Sequence, residues 1–171
     1  MAAPIVTGMA ALVRQYYTLH GLSNPSASLI KATIINSTIQ LTSDDAVRGE
    51  PNIPNNHQGF GLIDFENAIP NVKNDFNLYC FDGLSDPNYV MASTGNRRRF
   101  MLEIDQLCWI RITLAYTDFA GRSIQNKLSL FTDLDIQDNS LANTQKWIGN
   151  EGAYKPIGSK IDKLNNVEII R

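Results

Sequence analysis

The feature that most constrains the fold is a run of twelve uncharged residues, Ala2 to Val13, within the segment "MAAPIVTGMAALVRQYY". Pro4 suits the first turn of a helix, and the apolar residues that follow recur at the helical spacing i, i+3, i+4 and i+7. These apolar residues are Ile5, Val6, Met9, Leu12, Val13, Tyr16 and Tyr17. The opposite side carries small residues, among them Ala3, Gly8, Ala10 and Ala11. A helix that is apolar on one side and small on the other is normally buried all round. The run therefore predicts a helix that needs other elements to cover most of its surface.

Composition limits the class of protein and its partners. A chain of 171 residues with 43% hydrophobic and 19% charged residues is typical of a globular protein with one or two small domains. A net charge of −2 gives no reason to expect nucleic acid as a partner. The uncharged run is too short to span a bilayer, and it lacks the basic flank of a signal peptide. We expect neither nucleic acid nor membrane as a partner, and no export signal.

The rest of the first half predicts a second helix, a loop and a short strand. Gly21 is a helix stop signal, and a helix over residues 26–37 follows it. The buried stripe of this second helix is Leu29, Ile30, Thr33 and Ile34. Residues 42–58 are predicted to form a polar loop, and "GFGLIDFENAI" a short apolar strand that leads into a helical turn.

The second half changes to the period of strands. The segments "RRRFMLEID", "CWIRITLAYTD" and "NKLSLFTDLDIQD" alternate apolar and polar residues, and turn-forming clusters separate them. Short strands at this spacing are typical of an antiparallel β-sandwich of the jelly-roll kind. The predicted fold class is α+β, with two helices and a short strand followed by the sandwich, and the predicted domains are residues 1–74 and 75–171.

A few side chains are candidates for metal binding or chemistry. Asp133, Asp135 and Asp138 carry hard oxygen ligands and are weak calcium candidates, and the solvent face of a strand is the favoured interpretation of the first two. His20 and His57 are interpreted as a histidine of a helix's last turn and an exposed loop residue.

The two cysteines have no metal-type spacing. Cys80 and Cys108 both lie in strand-like runs and are interpreted as buried free thiols, with a disulfide as the alternative.

The first seventy residues resemble the subtilisin-like serine proteases. "MAAPIVTGMAALV" is similar to the sequence that follows the nucleophile in the family motif Gly-Thr-Ser-Met-Ala-Ala-Pro, and "SLIKATIINST" resembles the next helix. "NHQGFGLIDFENAI" is similar to the family's closing motif, with Gly59, Phe60, Gly61 and Asp64 in register. The resemblance implies that the two helices and the strand end a subtilisin-type α/β catalytic domain.

The second half resembles the C-terminal jelly-roll sandwich that some subtilases carry. The family succession is matched by Leu114 to Asp118, Asn126 to Leu130, Gly149-Asn150 and Asn165 to Glu168. Tyr116 replaces a tryptophan, and Lys127 and Ser129 replace two acidic residues. These departures argue against carrying over metal ligands, so no cofactor is assigned and calcium is left as a possibility.

The resemblance also implies where the chemistry would lie. The nucleophilic Ser would stand immediately before Met1, with the other triad members and the oxyanion Asn upstream, so no catalytic residue is assigned in this chain. Met1, Ala2, Ala3 and Pro4 would form the helix start that supports the nucleophile.

This placement leads to one expected function and one alternative. We expect the C-terminal part of a serine endopeptidase that cleaves polypeptides, is inactive alone, and comes from a secreted or cell-envelope parent. The first helix would then be covered by upstream residues or by self-association. The alternative is a stand-alone, non-catalytic binding or scaffold module derived from a subtilase.

Overall fold

A computed structural model of the chain describes residues 2–48, 53–74, 76–106, 108–134, 145–150 and 165–171. These residues form an α+β structure, which confirms the predicted class. The helices are α1 (Ala3–Leu19), α2 (Ala27–Asn36) and α3 (Asp44–Val47), and a 3-10 turn spans Pro87–Tyr89. The strands are β1 (Ile112–Ala115), β2 (Phe131–Leu134), β3 (Gln145–Ile148) and β4 (Val167–Ile170). Within the described ranges, no helix combines the length and apolar character needed to cross a membrane.

Helix α1 ends where the sequence predicts. His20 is its C-cap, and Gly21 follows with a φ of +94°, a left-handed conformation that glycine adopts without strain. The Leu22 N–H donates to the Tyr17 carbonyl at 2.9 Å, and the His20 N–H donates to the Tyr16 carbonyl at 3.1 Å. These bonds supply N–H donors to carbonyl groups at the helix end, which have no donor within the helix itself.

The surface of α1 is covered on one side only. Val13 and Tyr17 are buried, whereas Ile5 is 64%, Leu12 48% and Leu19 74% exposed. The expectation of a helix buried all round is therefore not met within the described residues, because they provide a neighbour for only one face. An apolar helix face in contact with water is unusual for a soluble monomer.

Helix α2 has the predicted extent and the predicted buried face. Ser26 is its N-cap, and the Ser26 hydroxyl accepts a hydrogen bond from the Leu29 N–H at 3.0 Å. The Ser26 N–H donates in turn to the Asp82 carboxylate at 2.8 Å. The contact ties the start of α2 to the chain after Cys80.

The hydrophobic core lies between α1 and α2. Its buried members are Val13, Tyr17, Leu29, Ile34 and Ala68. Half-buried side chains surround this cluster: Ala10, Tyr16, Leu22, Ile30, Ile63, Phe65, Ile69, Leu78 and Cys80. Because Leu78 and Cys80 lie beyond residue 74, the core spans the predicted domain boundary. The division into 1–74 and 75–171 stays a prediction.

The closing motif forms a bridge in place of the predicted short strand. Ile39 and Leu62 exchange two backbone hydrogen bonds of 2.7 and 2.8 Å, and no further pair extends the ladder. Gly61, with a φ of +105°, explains why: a Cβ there would lie 2.4 Å from the Ile39 carbonyl oxygen. The backbones approach closely and then turn away. The predicted polar loop before this motif contains the single turn α3.

The strands form two small antiparallel sheets. Strand β1 pairs with β4, with Ile112 opposite Ile170, and β2 pairs with β3, with Phe131 opposite Ile148. The predicted strand over residues 97–105 does not form among the described residues, because no other strand offers its backbone to it. The antiparallel pairing is as expected, while the jelly-roll sandwich stays a prediction.

The β1–β4 sheet packs on the C-terminal end of α2. The Arg111 guanidinium donates to the Asn36 carbonyl at 3.3 Å, and Thr113 donates to the Asn36 side chain at 2.9 Å. The Arg171 guanidinium donates to the Phe60 carbonyl at 3.1 Å and contacts the Ile35 carbonyl at 3.5 Å. Two cations thus lie where a helix leaves unpaired carbonyls and partial negative charge. Burial, with a further contribution from Arg111, lowers the pKa of Arg171 to about 10.

Candidate functional site

The start of α1 is the candidate site, and it is open to solvent. Ala2 has helical angles (φ −84°, ψ −35°) and no side chain caps the helix. The Val6 N–H donates to the Ala2 carbonyl at 3.1 Å, and Ala2, Ala3 and Pro4 are all exposed. Met1 lies outside the described residues. The N–H groups of an uncapped first turn and the positive end of the helix dipole favour an anion at this place.

The two histidines lie at the end of α1 and in a loop. The His20 ring stacks on Tyr16 with 4.1 Å between centroids, and its Nδ1 lies 2.8 Å from the Tyr16 carbonyl oxygen. The seventeen residues of α1 separate it from the helix start by about 25 Å at the helical rise per residue. His57 is exposed, and its N–H donates to the Asn55 side chain at 3.0 Å. Both interpretations, a last-turn histidine and a loop histidine, are confirmed.

A buried polar cluster holds α1 against α2. The Tyr17 hydroxyl lies 2.6 Å from the Thr33 hydroxyl and 3.1 Å from the Cys80 sulfur. The Thr33 hydroxyl donates its proton to the Leu29 carbonyl at 2.9 Å, so Tyr17 must donate to Thr33 and Cys80 to Tyr17. Sequence reasoning missed this cluster. Its signal was a polar atom on each of two faces predicted to be buried, because such atoms require partners.

The cluster is electrically neutral at physiological pH. Burial raises the pKa of Tyr17 well above its usual 10.0. Burial also raises the pKa of the Cys80 thiol above its usual 9.0. A neutral thiol that donates a hydrogen bond is a poor nucleophile. The cluster therefore positions the helices and does not supply a reactive group.

The cysteines are free thiols, as interpreted, but they are not both buried. Cys80 is half-buried, and Cys108 is exposed. The burial predicted for Cys108 is wrong because the chain around it is not part of a sheet: strand β1 begins only at Ile112.

The matched residues at the end of the second half surround a buried carboxylate. Glu168 is fully buried, its carboxylate forms an ion pair with Lys127, and it accepts the Leu130 N–H at 2.5 Å. A Cβ on Gly149 would lie 2.6 Å from the Glu168 Cβ and 2.8 Å from a carboxylate oxygen. Position 149 therefore has to be glycine for Glu168 to fit.

Two of the matched asparagines, Asn150 and Asn166, form hydrogen bonds to the backbone at and near β4. Asn150, with a φ of +63°, donates its backbone N–H to the Ile169 carbonyl and accepts the Ile169 N–H on its side chain, both at 3.0 Å. Its side chain also donates to the Val167 carbonyl at 2.6 Å, and Asn166 donates to the Tyr116 carbonyl at 2.8 Å. These residues fix the path of β4, and their roles are structural.

Asp118 organises the loop that precedes β2. Its carboxylate accepts the backbone N–H of Gln125 at 2.6 Å, that of Asn126 at 3.1 Å and that of Phe119 at 2.9 Å, and the Asn126 side chain adds a bond of 3.0 Å. Desolvation opposes ionisation of this carboxyl, but the hydrogen bonds outweigh it and lower the pKa of Asp118 below its usual 3.8.

The calcium candidates are only partly within the described residues. Asp133 lies opposite Lys146 across β2 and β3, with 3.5 Å between carboxylate and ammonium and both side chains about half exposed. It lies on a solvent face and already has a cation as neighbour. Asp135 and Asp138 lie outside the described residues. In the part of the chain that is described, no group of three or more His, Cys, Asp and Glu residues could hold a metal ion.

Known proteins are similar to the chain in two ways. Residues 1–61 match the subtilase family of peptidases (Peptidase S8). A serine protease/ABC transporter B family protein, tagA, of Dictyostelium discoideum is 32% identical over 184 residues. That alignment covers 99% of this chain but only 10% of the length of the relative. No solved structure matches the chain. The matched residues include the whole of α1 and α2, and they make this a subtilase-related protein.

Proposed function

We propose that this chain acts as the C-terminal part of a subtilisin-like serine endopeptidase and has no peptidase activity alone. In this proposal residues 1–74 complete a catalytic domain whose remainder carries the triad. The match of residues 1–61 to the subtilase family and the serine protease relative support the proposal.

Helix α1 has the properties that this role needs. A nucleophilic Ser placed just before its uncapped start would lie at the positive end of the helix dipole. The oxyanion that forms when the nucleophile attacks a peptide carbonyl would be stabilised there, as in other hydrolases. Ala2, Ala3 and Pro4 add no charge and no bulk, so they leave the space beside the nucleophile open. Their role is support and not chemistry.

The observation that carries the proposal is the bare apolar face of α1. Ile5, Leu12 and Leu19 extend along the helix in contact with solvent, while α2 covers the other side. A face of this kind requires a partner. In a catalytic domain of the proposed type, the upstream residues would cover it.

The second half has a supporting role in this proposal. We infer that residues 75–171 belong to a β-sandwich that packs on α2, through contacts of the kind made by Arg111, Thr113 and Arg171. Because α2 holds α1 through Tyr17 and Thr33, the sheet would stabilise the helix that supports the nucleophile.

The decisive experiment compares the 171-residue chain with a chain extended by the codons that precede Met1 in the transcript, read in frame. We expect those codons to encode Gly-Thr-Ser, and we expect a serine-directed fluorophosphonate probe to label the extended protein. The 171-residue chain should stay unlabelled and should bind a hydrophobic dye. Labelling of the 171-residue chain, or an in-frame stop codon directly upstream, would contradict the proposal. A dye-silent monomer that melts cooperatively would favour a stand-alone binding module.

A further inference from the structure

The segment over residues 97–105 is an exposed, extended chain that has no strand partner among the described residues. Residues 97–105 contain no turn or bend, every side chain is exposed, and the backbone of these residues forms no hydrogen bond to any described residue. Extended backbone of this kind is a template for strand pairing.

The two faces of the segment differ in character. Phe100, Leu102 and Ile104 share one face, and the Phe100 ring packs on Phe81 and Tyr89 with centroid distances of 4.3 and 6.0 Å. Met101 lies on the other face and is 93% exposed, compared with 40% for Ile104. The segment therefore rests on an apolar base and presents its other face and its edge to solvent.

The outward face is charged in a self-complementary order. From 97 to 105 its residues read Arg, Arg, Met, Glu, Asp. We propose that this segment pairs with the same segment of a second copy of the chain, as antiparallel strands related by a twofold axis at Met101. In this register Arg97 lies opposite Asp105, Arg99 opposite Glu103, and Met101 opposite its own copy. The twofold axis repeats each ion pair, as expected of an isologous interface.

The charge pattern selects this register over its neighbours. A shift of two residues in either direction halves the number of Arg–carboxylate pairs and places Met101 opposite a charge. A shift of one residue places the outward face of one strand beside the inward face of the other. In the proposed register Phe100 also lies opposite Leu102, so the centre of the inward face is apolar across the two copies, and Arg98 lies opposite Ile104 at each of its ends. Opposite charges and apolar pairs directly across a ladder are the stabilising unit of a sheet.

Charge exchange on the full chain tests this interface. An acidic variant (Arg97→Glu with Arg99→Glu) and a basic variant (Glu103→Arg with Asp105→Arg) each place like charges opposite each other in a homodimer. Sedimentation velocity over a concentration series should show a dimer for the unaltered chain and about a hundredfold weaker association for each variant alone. An equimolar mixture of the two variants should dimerise again, because every pair is then of opposite sign.

Two control variants distinguish pairing through this segment from an effect of net charge and from association through helix α1. Arg98→Glu with Arg122→Glu makes the same change of charge outside the outward face and should leave the dissociation constant within about threefold. Leu12→Lys disrupts association through α1 and should not disturb the strand dimer. A monomeric unaltered chain, a dimer insensitive to both charge variants, a mixture that stays monomeric, or loss of the dimer in Leu12→Lys would each overturn the proposal.

Crosslinking provides a second measurement that does not depend on affinity. Directly opposite residues of antiparallel strands lie about 4.5–5.5 Å apart at Cα, which suits a disulfide. Met101→Cys in a Cys108→Ser background should form a covalent dimer on mild oxidation. Val72→Cys in the same background tests random collision, since Val72 is fully exposed. Equal crosslinking at both positions would overturn the twofold axis at Met101.

Discussion

The hydroxyl oxygen of Tyr17 lies 2.6 Å from that of Thr33, and this bond joins the two helices that form the core. Tyr17 is the donor in this bond, because the Thr33 hydroxyl donates its own proton to the Leu29 carbonyl. Tyr17 in turn accepts from the Cys80 thiol, which lies in the stretch assigned to the second domain. One phenol thus links α1, α2 and the chain beyond residue 75.

Removing this hydroxyl tests its contribution to stability. Tyr17→Phe should lower the free energy of unfolding by about 1–2 kcal/mol, because the buried Thr33 hydroxyl and the half-buried Cys80 thiol lose their partner. Tyr16→Phe is the matched control, since Tyr16 contacts its neighbours through its ring. Urea unfolding followed by circular dichroism measures both. Equal loss in the two variants would show that the hydroxyl is not the source.

Replacing each of two glycines with alanine should change the stability of the chain in opposite directions. Gly149→Ala should destabilise by about 1–3 kcal/mol, because the added methyl group meets the side chain of Glu168 at 2.6 Å. Gly8→Ala should stabilise the chain by about 1 kcal/mol. A Cβ added at Gly8 would have no atom outside the backbone of α1 within 4 Å, and alanine is the better helix former. Thermal melting of both variants gives the sign directly. A neutral Gly149→Ala would mean that Glu168 moves aside without cost.

The ion pair of Lys127 and Glu168 should matter far more than that of Lys146 and Asp133. Lys127→Met removes the cation that pairs with a fully buried carboxylate and should cost about 3 kcal/mol. Lys146→Met removes an exposed pair at 3.5 Å and should cost about 0.5 kcal/mol or less. Chemical denaturation at neutral pH compares the two. If both substitutions cost the same, the burial of Glu168 does not govern the energetics.

Asp118 should make stability depend on pH in the acid range. Its pKa is lowered in the folded chain, so the ionised form contributes stability above the unfolded value, and that stability is lost as pH falls through the folded pKa. Asp118→Asn should therefore be less stable than the unaltered chain at pH 7, and the difference should shrink below pH 3.8. Asp45→Asn, at an exposed site, serves as control. Urea midpoints measured from pH 7 to acid would contradict this if the difference stayed constant.

The two thiols should react at different rates. Cys108 is exposed and should react rapidly with a disulfide reagent such as Ellman's reagent. Cys80 should react slowly, because burial raises the pKa of its thiol and the thiol donates to Tyr17. Cys108→Ser should abolish the fast phase and leave the slow one unchanged. A single fast phase of two thiols would contradict the placement of Cys80.

Local signals predicted the helices well and the sheets poorly. Ser26 and the apolar stripe after it marked α2 to within a residue of its ends, and Gly21 marked the end of α1, because caps and stops act over a few residues. Alternation over 97–105 predicted a strand there, and none forms among the described residues. It could not show whether a partner strand is present, since pairing depends on distant backbone.

The features around the candidate site also differ in whether the sequence could predict them. The start of α1 was visible in a short motif, and the structure places Ala2 to Pro4 at an open helix end. The contact of Gly149 with Glu168 and the cluster of Tyr17, Thr33 and Cys80 join residues far apart in sequence. A single sequence holds no local pattern for such contacts, because only folding brings those residues together.

The contact between the Arg171 guanidinium and the end of α2 can form only after the helices have been synthesised. It reaches the Ile35 carbonyl across 136 positions of the chain. At ordinary translation speeds, that interval lasts about 7 to 27 seconds. Throughout that time the Ile35 carbonyl has the N–H and the hydroxyl of Thr38 as donors, at 3.2 and 2.8 Å, so a nascent chain holds α1 and α2 without the contact that Arg171 later adds. A chaperone or a protease that acts on the growing chain meets the two helices before the Arg171 contact has formed.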